Sequence, residues 1–183
     1  MNELETIKQK MHDCTRCSLS HCRTNLVFGD GNPNADIMFI GEAPGKNEDL
    51  QGIPFVGSAG HILDECLAEI NLNRADVYIA NILKCRPPKN RDPEPDEITA
   101  CTPFLTEQVK AIHPKIIISL GAYATRYCLN DQKVRISQVR GQIFDCDGYY
   151  VMPIYHPAAC IYDRQKIPII KKDFQQLRAI INS

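Results

Sequence analysis

KIIISL, at residues 115–120, is an almost unbroken apolar run that contains three consecutive isoleucines. β-Branched residues favour strands, and a strand without polar alternation is typical of a sheet that is covered on both faces. Parallel strands are joined by long crossovers, usually helices, which then lie on the two faces of the sheet. The run therefore predicts a central strand of a mostly parallel sheet.

Strands and helices alternate on both sides of this run. Asp147-Gly148 is a turn signal inside 142–154, which predicts a hairpin or bend that leads into the last strand. Residues 41–57 form a polar loop, and Ser58 is expected to cap the helix after it. The last helix places Ile170, Phe174, Leu177 and Ile181 on one inward face. The further strands are predicted at 36–40, 77–83 and 142–154, and the helices at 3–11, 58–70, 96–112, 121–129 and 165–182. This order predicts an α/β fold, a three-layer αβα sandwich around a mostly parallel four-stranded sheet.

Composition sets the class of protein. The chain has 183 residues, of which 44% are hydrophobic and 23% charged, with a net charge of −1. These values indicate one globular domain spanning 1–183, and they exclude a long disordered chain or a polycation. The N-terminal segment lacks the apolar stretch of a secretory signal, and no run approaches the ~18 apolar residues of a spanning helix. We therefore expect a cytoplasmic monomer without membrane contact.

Nine cysteines are the unusual feature of the composition. Cys14 and Cys17 form a C-x2-C pair, while Cys85 and Cys101 border a proline-rich loop. Four thiolates can hold zinc or an iron–sulfur cluster, and spacing does not separate the two. Incidental free thiols are the alternative for these four. The same interpretation, reduced thiols, is the expected one for the remaining five, which are Cys22, Cys66, Cys128, Cys146 and Cys160.

Three polar loops follow the predicted strands, at 41–57, 81–95 and 155–164. Ligands of parallel sheets bind beyond the carboxyl ends of the strands, so these loops predict one common site. They carry GEAPG at 41–45, PFVGSAG at 54–60, Asn81 and HPAAC at 156–160. Each motif also has a plain structural interpretation: a connecting turn, a core aromatic, a turn asparagine and a loop imidazole.

Together these motifs resemble the family 4 uracil-DNA glycosylases, the iron–sulfur-containing branch of that superfamily. The resemblance runs in order from about residue 14 to 160. It rests on CTRC, GEAPGKNED, GIPFVGSAG, ANILKCRPPKNRDPEP, CTPFL, ISLGAYAT and HPAA. It implies a three-layer α/β fold, release of uracil from single- or double-stranded DNA, and a [4Fe–4S] cluster. The cluster would be held by Cys14, Cys17, Cys85 and Cys101, and would link the N-terminal segment to the 85–101 loop.

The resemblance also implies roles for individual residues. The deoxyuridine is flipped into a pocket, where Phe55 stacks on the base and the Asn81 amide reads its edge. Neutral His156 donates a hydrogen bond to O2 as charge develops there, together with backbone N–H groups of the Gly41-Glu42-Ala43 turn. The same turn, with Glu42 as a candidate, excludes the thymine methyl group. Ala43 stands where another branch has a water-positioning Asp, so Glu42 or Glu48 is expected to position the water.

DNA contacts have to be local in a chain with so little net charge. Lys84, Arg86, Lys89 and Arg91 cluster in the proline-rich loop and are predicted to face phosphates, although a solvated charge run is the alternative. Arg164, after HPAAC, is a further candidate. Asp163 departs from the family pattern, which leaves the wedge residue open between Ile161 and Tyr162.

Three other functions fit parts of the sequence. A non-catalytic metal-containing module that reads DNA would yield no abasic product. A covalent uracil-capturing relative needs a loop histidine, and residues 82–112 contain none. A redox sensor would use the spare thiols, but nothing in the sequence favours it.

Overall fold

The computed structural model describes residues 2–183 and is built on one mixed sheet. Its strands lie in the order β1-β3-β2-β4-β6-β5. The strands are β1 Asp30–Gly31, β2 Ile37–Gly41, β3 Tyr78–Asn81, β4 Ile116–Leu120, β5 Phe144–Asp145 and β6 Tyr150–Ile154. The four inner strands, β3-β2-β4-β6, are all parallel to their neighbours. The predicted parallel sheet is therefore confirmed, with the KIIISL strand inside it.

The sheet has six strands rather than four. Two antiparallel edge strands, β1 and β5, each contribute two residues. β5 is the first arm of the predicted hairpin, whose turn carries Asp147 and Gly148 at positive φ. β1 was not predicted, because a two-residue strand is too short to show an alternating pattern.

The helices cover both faces of the sheet. One core contains buried side chains of α1, α4 and α5, and the other contains those of α3, α7 and α8. Strand residues alternate between the two cores: Met38 and Ile40 belong to the first, and Ile37 and Phe39 to the second. This confirms the three-layer sandwich. The helices are α1 Glu3–Met11, α2 Lys46–Gln51, α3 Ser58–Glu69, α4 Pro95–Ile112, α5 Gly121–Leu129, α6 Ile136–Val139, α7 Ala159–Tyr162 and α8 Lys166–Ile181.

The structure corrects three local predictions. Gly57, not Ser58, is the N-cap of α3, and Ser58 is its first residue. The polar loop at 41–57 contains α2, whose segment KNEDLQ has one apolar residue and so no periodic signal. Ile181 is 42% exposed at the end of α8, one turn beyond the last buried residue of that helix, Leu177. Within the described residues, no helix is both long enough and apolar enough to span a membrane.

Candidate active site

A small cavity lies at the carboxyl edge of the parallel strands. Its volume is about 90 Å³, and residues from all three predicted loops line it. The sequence prediction that these loops converge is therefore confirmed, and five candidate residues meet there, namely Ala43, Glu48, Phe55, Asn81 and His156. The remaining lining residues are Gly57, Ser58, Ala59 and Gly60.

Asn81 ends β3 and is 2% exposed. Its Oδ1 atom is buried and has no hydrogen-bond partner among the described residues. A buried polar atom without a partner costs about 1–3 kcal/mol, so such atoms are rare unless a ligand completes them. Asn81 therefore lines the cavity and carries a buried acceptor that has no partner among the described residues.

Phe55 has an unusual backbone that aims its ring at the cavity. Its φ is 53°, in the left-handed region that non-glycine residues seldom occupy. Gly60 makes this possible, because a Cβ there would lie 1.8 Å from the Phe55 carbonyl oxygen. Arg74 donates to the carbonyl oxygens of Pro54, at 2.8 Å, and of Phe55. Its Nε donates to Asp64 at 2.7 Å, so the guanidinium fastens the turn to α3.

Gly41 lets the Asn81 amide and the Phe55 ring come close together. A Cβ at this position would lie 2.5 Å from Asn81 Oδ1 and 2.7 Å from the Phe55 ring. The Phe55 ring also stacks on the His156 ring, with centroids 5.5 Å apart and planes at 26°. The absence of a side chain at Gly41 thus leaves room for three functional side chains around one cavity.

His156 is held neutral and in one tautomer. Burial of its ring lowers its pKa to about 4. The backbone N–H of Ala158 donates to Nδ1 at 3.0 Å, so the proton of the neutral ring resides on Nε2. Gly121 packs against the imidazole side chain, since a Cβ there would lie 3.0 Å from the Cβ of His156. The ring is therefore a neutral donor at physiological pH.

The two candidate carboxylates have different surroundings. Glu48 lines the cavity and accepts from the backbone N–H groups of Gly45, Val56 and Gly57 at 2.7–3.0 Å. Those bonds tie the 41–45 turn to the turn that carries Phe55. Glu42 is half-buried and lies outside the residues that line the cavity. Desolvation and, to a smaller extent, the nearby Asp92 raise the pKa of Glu42 to about 7.

The four cysteines selected from the sequence line one cavity between the N-terminal segment and α4. Two sulfur atoms receive hydrogen bonds: Arg23 donates to Cys85 Sγ at 3.4 Å, and the Lys84 N–H to Cys101 Sγ at 3.3 Å. No disulfide joins any two of the nine cysteines, all of which the structure describes. Among the described residues, His, Cys, Asp and Glu side chains form no group of three or more suited to a single metal ion.

The basic loop contains one wrong prediction. Lys84 cannot reach phosphates, because it is fully buried and its Nζ donates to the Phe28 carbonyl oxygen at 3.0 Å. Arg91 is engaged with the buried carboxylate of Glu97 at 2.6 Å, which caps α4. Lys89 and Arg164 are exposed. Arg86 is half-buried, and its Nε donates to Asn90.

Sequence reasoning missed the residues that support the site from behind. Arg74 and Gly60 hold Phe55, and Glu48 joins two loops, yet only Glu48 was considered, and for another role. A glycine soon after an aromatic in PFVGSAG was a visible signal for a close backbone approach. Arg74 lies 19 residues from Phe55. No local pattern predicts a contact between residues so far apart.

Comparisons with known proteins agree with one another. The family model of the uracil DNA glycosylase superfamily matches residues 28–182. The type-4 uracil-DNA glycosylase of Saccharolobus solfataricus is 44% identical over 100% of this chain and 88% of its own length. The type-4 enzyme of Sulfurisphaera tokodaii is 46% identical over 98% of this chain and 86% of its own. That of Archaeoglobus fulgidus is 44% identical over 97% and 92%.

Proposed function

Because the chain belongs to the uracil-DNA glycosylase superfamily, and within it to the type-4 enzymes, we propose how its own residues remove uracil from DNA. The protein is an N-glycosylase of base excision repair that acts on uracil in DNA. Hydrolysis of the N-glycosidic bond releases the free base and leaves an abasic site. A base within a duplex has to be flipped out before such chemistry.

The orphaned Oδ1 atom of Asn81 is the observation that carries this proposal. Uracil offers a donor at N3–H and an acceptor at O4, and one amide presents the complementary acceptor and donor. The buried oxygen then accepts from N3–H, and the amide NH2 donates to O4. Cytosine has an acceptor at N3 and a donor at N4, so an amide held in this orientation rejects it.

Phe55 supplies the flat surface for the bound uracil. Stacking of a base on an aromatic ring contributes about 1–3 kcal/mol. The clamp of Arg74 and Gly60 orients the ring before DNA arrives, which reduces the entropy lost on binding. For thymine, we infer that the Gly41-Glu42-Ala43 turn forms the wall against the C5-methyl group. Ala43 lines the cavity from this turn.

His156 is proposed to stabilise the leaving base. As the glycosidic bond breaks, negative charge develops on uracil O2, and the Nε2–H of the neutral ring donates to it. Backbone N–H groups of the 41–43 turn are proposed to donate to the same oxygen and to stabilise its negative charge further. The pKa of about 4 supports donation by a neutral imidazole, without a change in protonation across the physiological range.

We propose that Glu42 positions the attacking water. The alternative, Glu48, accepts three backbone hydrogen bonds, so its carboxylate already serves as a structural link between loops. Glu42 has a pKa of about 7, which leaves a substantial carboxylate fraction near neutral pH. A carboxylate outside the base-binding cavity also suits a water that approaches the sugar rather than the base.

The donor set around the second cavity fits an iron–sulfur cluster better than a single ion. Four thiols with hydrogen bonds to two of the sulfurs match the usual ligands and outer contacts of a [4Fe–4S] cluster. In a cluster each cysteine binds a different iron, so the four sulfurs need not approach one point. We propose that Cys14, Cys17, Cys85 and Cys101 hold this group and thereby tie the N-terminal segment to the 85–101 loop. Its role here is structural.

DNA is proposed to lie across the exposed loops beside the cavity. Lys89, Arg86 and Arg164 are the candidate phosphate contacts, and Tyr162, which is 90% exposed, is the more accessible wedge candidate. Action as a monomer stays a prediction. The cytoplasmic location expected from the sequence stays a prediction.

One assay tests the proposal. Purified protein is incubated with oligonucleotides that carry uracil, cytosine or thymine at one position and is then treated with alkali. We expect strand cleavage at uracil alone, and an absorbance band near ~400 nm from the cluster. Uncleaved uracil strands, or a colourless protein that contains zinc, would contradict the respective parts of the proposal.

A further inference from the structure

A second and larger cleft lies between α4 and α5 and shares no lining residue with the base-binding cavity. Its volume is about 990 Å³, compared with about 90 Å³ for the cavity at Asn81. Such a volume is at the upper end of the range for ligand sites. None of the roles proposed above uses it.

The lining of this cleft is aromatic and basic. Tyr123, Tyr127 and Tyr149 contribute rings, and Lys110 and Arg126 contribute positive charge. Within the described chain, no Asp or Glu is among the lining residues, although Asp92 and Glu42 lie near Tyr123 at one end. The whole chain has slightly more acidic than basic residues, so this local excess of cations is not a consequence of composition. Surfaces that bind single-stranded nucleic acid typically combine aromatic rings, on which bases stack, with cations that contact the phosphates.

Arg126 has a buried donor that a ligand could satisfy. Its guanidinium lies 5.4 Å from the centroid of the Tyr123 ring, an arrangement that leaves its edges available for hydrogen bonds. Its Nε is buried and has no acceptor among the described residues. A buried donor of this kind is stabilised by an anionic oxygen, such as that of a phosphate.

The cleft begins close to the reaction centre. Gly121, the first residue of α5, packs against His156, and the rings of Tyr123 and Tyr127 follow along the same helix. At 1.5 Å per residue, Tyr127 is only about 9 Å further along the helix axis than Gly121. Pro93 and Pro95, from the proline-rich loop, line the same end. The Tyr123 end of the cleft therefore lies near the site.

We propose that the α4–α5 cleft binds the unpaired DNA strand that flanks the uracil when the substrate is single-stranded. The proposal rests on the glycosylase function and adds a second DNA-binding surface to it. Bases would stack on Tyr123 and Tyr127, while Arg126 and Lys110 contact phosphates. The cleft has the length to hold several nucleotides, since the 18 residues of α4 extend about 27 Å.

The test compares the double variant Lys110→Gln/Arg126→Gln with wild type. Fluorescence anisotropy measures binding to an undamaged single strand, long enough to span the cleft, over a series of salt concentrations. Excision is measured in parallel on a short oligonucleotide with one nucleotide on each side of uracil. The matched control is Lys172→Gln/Arg178→Gln, which removes two exposed cations from α8 on the opposite face of the sheet.

We expect the double variant to bind the long strand about ten-fold more weakly and its salt slope to fall by about 1.4, or ~0.7 for each lost phosphate contact. The control should match wild type, and excision on the short substrate should be unchanged. If the double variant folds poorly, Lys110→Gln alone, at an exposed position, should still reduce the slope by ~0.7.

Unchanged affinity and slope in the double variant would overturn the proposal and would favour a protein segment as the occupant of the cleft. Failure of the glycosylase function itself gives a different result, because wild type would then release no uracil even from the short substrate.

Discussion

Replacement of Arg74 by alanine should loosen the turn that holds the Phe55 ring, here called the aromatic platform. Arg74 is not among the residues that line the cavity, so the variant leaves the direct contacts with the base in place. Arg74 lies behind Phe55 and donates to the carbonyl oxygens of Pro54 and Phe55. Phe55 holds a left-handed backbone, which costs a non-glycine residue about 1–3 kcal/mol. In the variant these two hydrogen bonds no longer offset the strain, so the turn is expected to relax toward ordinary dihedral angles.

The size of the effect follows from these contacts. A hydrogen bond from a charged donor contributes about 1.5–3 kcal/mol. Loss of about 2 kcal/mol of net support for the strained turn corresponds to an about 30-fold smaller population of the competent platform. Apparent affinity falls in proportion to that population, whereas bound DNA restores the platform. We therefore expect kcat/KM to fall about 30-fold, with most of the loss in KM.

Single-turnover excision over a range of enzyme concentrations separates the two parameters. The half-saturating concentration of Arg74→Ala should rise, while the plateau rate stays close to that of wild type. Asp64→Asn is the matched control, since it removes the ion pair with Arg74 but leaves both carbonyl contacts. Gly60→Ala should repeat the defect by another route, because its Cβ would collide with the Phe55 carbonyl. Two results for a folded Arg74→Ala protein would contradict a supporting role for Arg74. One is a wild-type kcat/KM, and the other is a lower plateau rate at an unchanged half-saturating concentration.

Four other predictions concern the chemistry and the frame of the site. His156→Ala should lower the single-turnover plateau by about 10²-fold or more, as loss of a donor to a developing anion does, and a rate within a few-fold of wild type would exclude that role. The excision rate should rise with pH through about 7 as Glu42 loses its proton, and Glu42→Gln should be slow and flat over the same range; an unchanged profile in the variant would assign the pH dependence elsewhere. Lys84→Met should change the melting temperature but not the salt slope of DNA binding, whereas Lys89→Gln should reduce that slope and leave melting unchanged. Cys85→Ser should lose the absorbance near ~400 nm, and retention of the full band would remove Cys85 from the proposed ligands.

Much of the frame could be predicted from local pattern. Three apolar runs and the periodic helices predicted the three layers correctly. Each helix or strand has to bury one face, and the spacing of its apolar residues shows which face that is. Short elements escaped this approach: β1 has two residues, and α2 has only Leu50 as an apolar residue. Convergence of the three loops was also predictable, because the carboxyl ends of parallel strands meet at one edge of the sheet.

The individual residues of the site divide differently. Asn81 and His156 follow predicted strands and Phe55 precedes a helix, but their roles came from the family resemblance. Spacing singled out the four cysteines, and the resemblance gave them a cluster. The environments of the first three were not predictable: the unpartnered oxygen of Asn81, the positive φ of Phe55 and the tautomer of His156 emerge only from packing. Lys84 shows the same limit, since a lysine in a charged run ends fully buried against the Phe28 carbonyl oxygen.

The amino-acid sequence alone thus determined the layered architecture, the edge of the sheet where chemistry is possible and the kinds of side chain that gather there. These properties depend on interactions between near neighbours in the chain, which periodicity and spacing record. Which groups support the site, and which polar atoms lack a partner, depends instead on the packing of distant segments. Arg74 reaches Phe55, and Lys84 reaches Phe28, across 19 and 56 residues. Contacts over such separations exist only after the layers have packed.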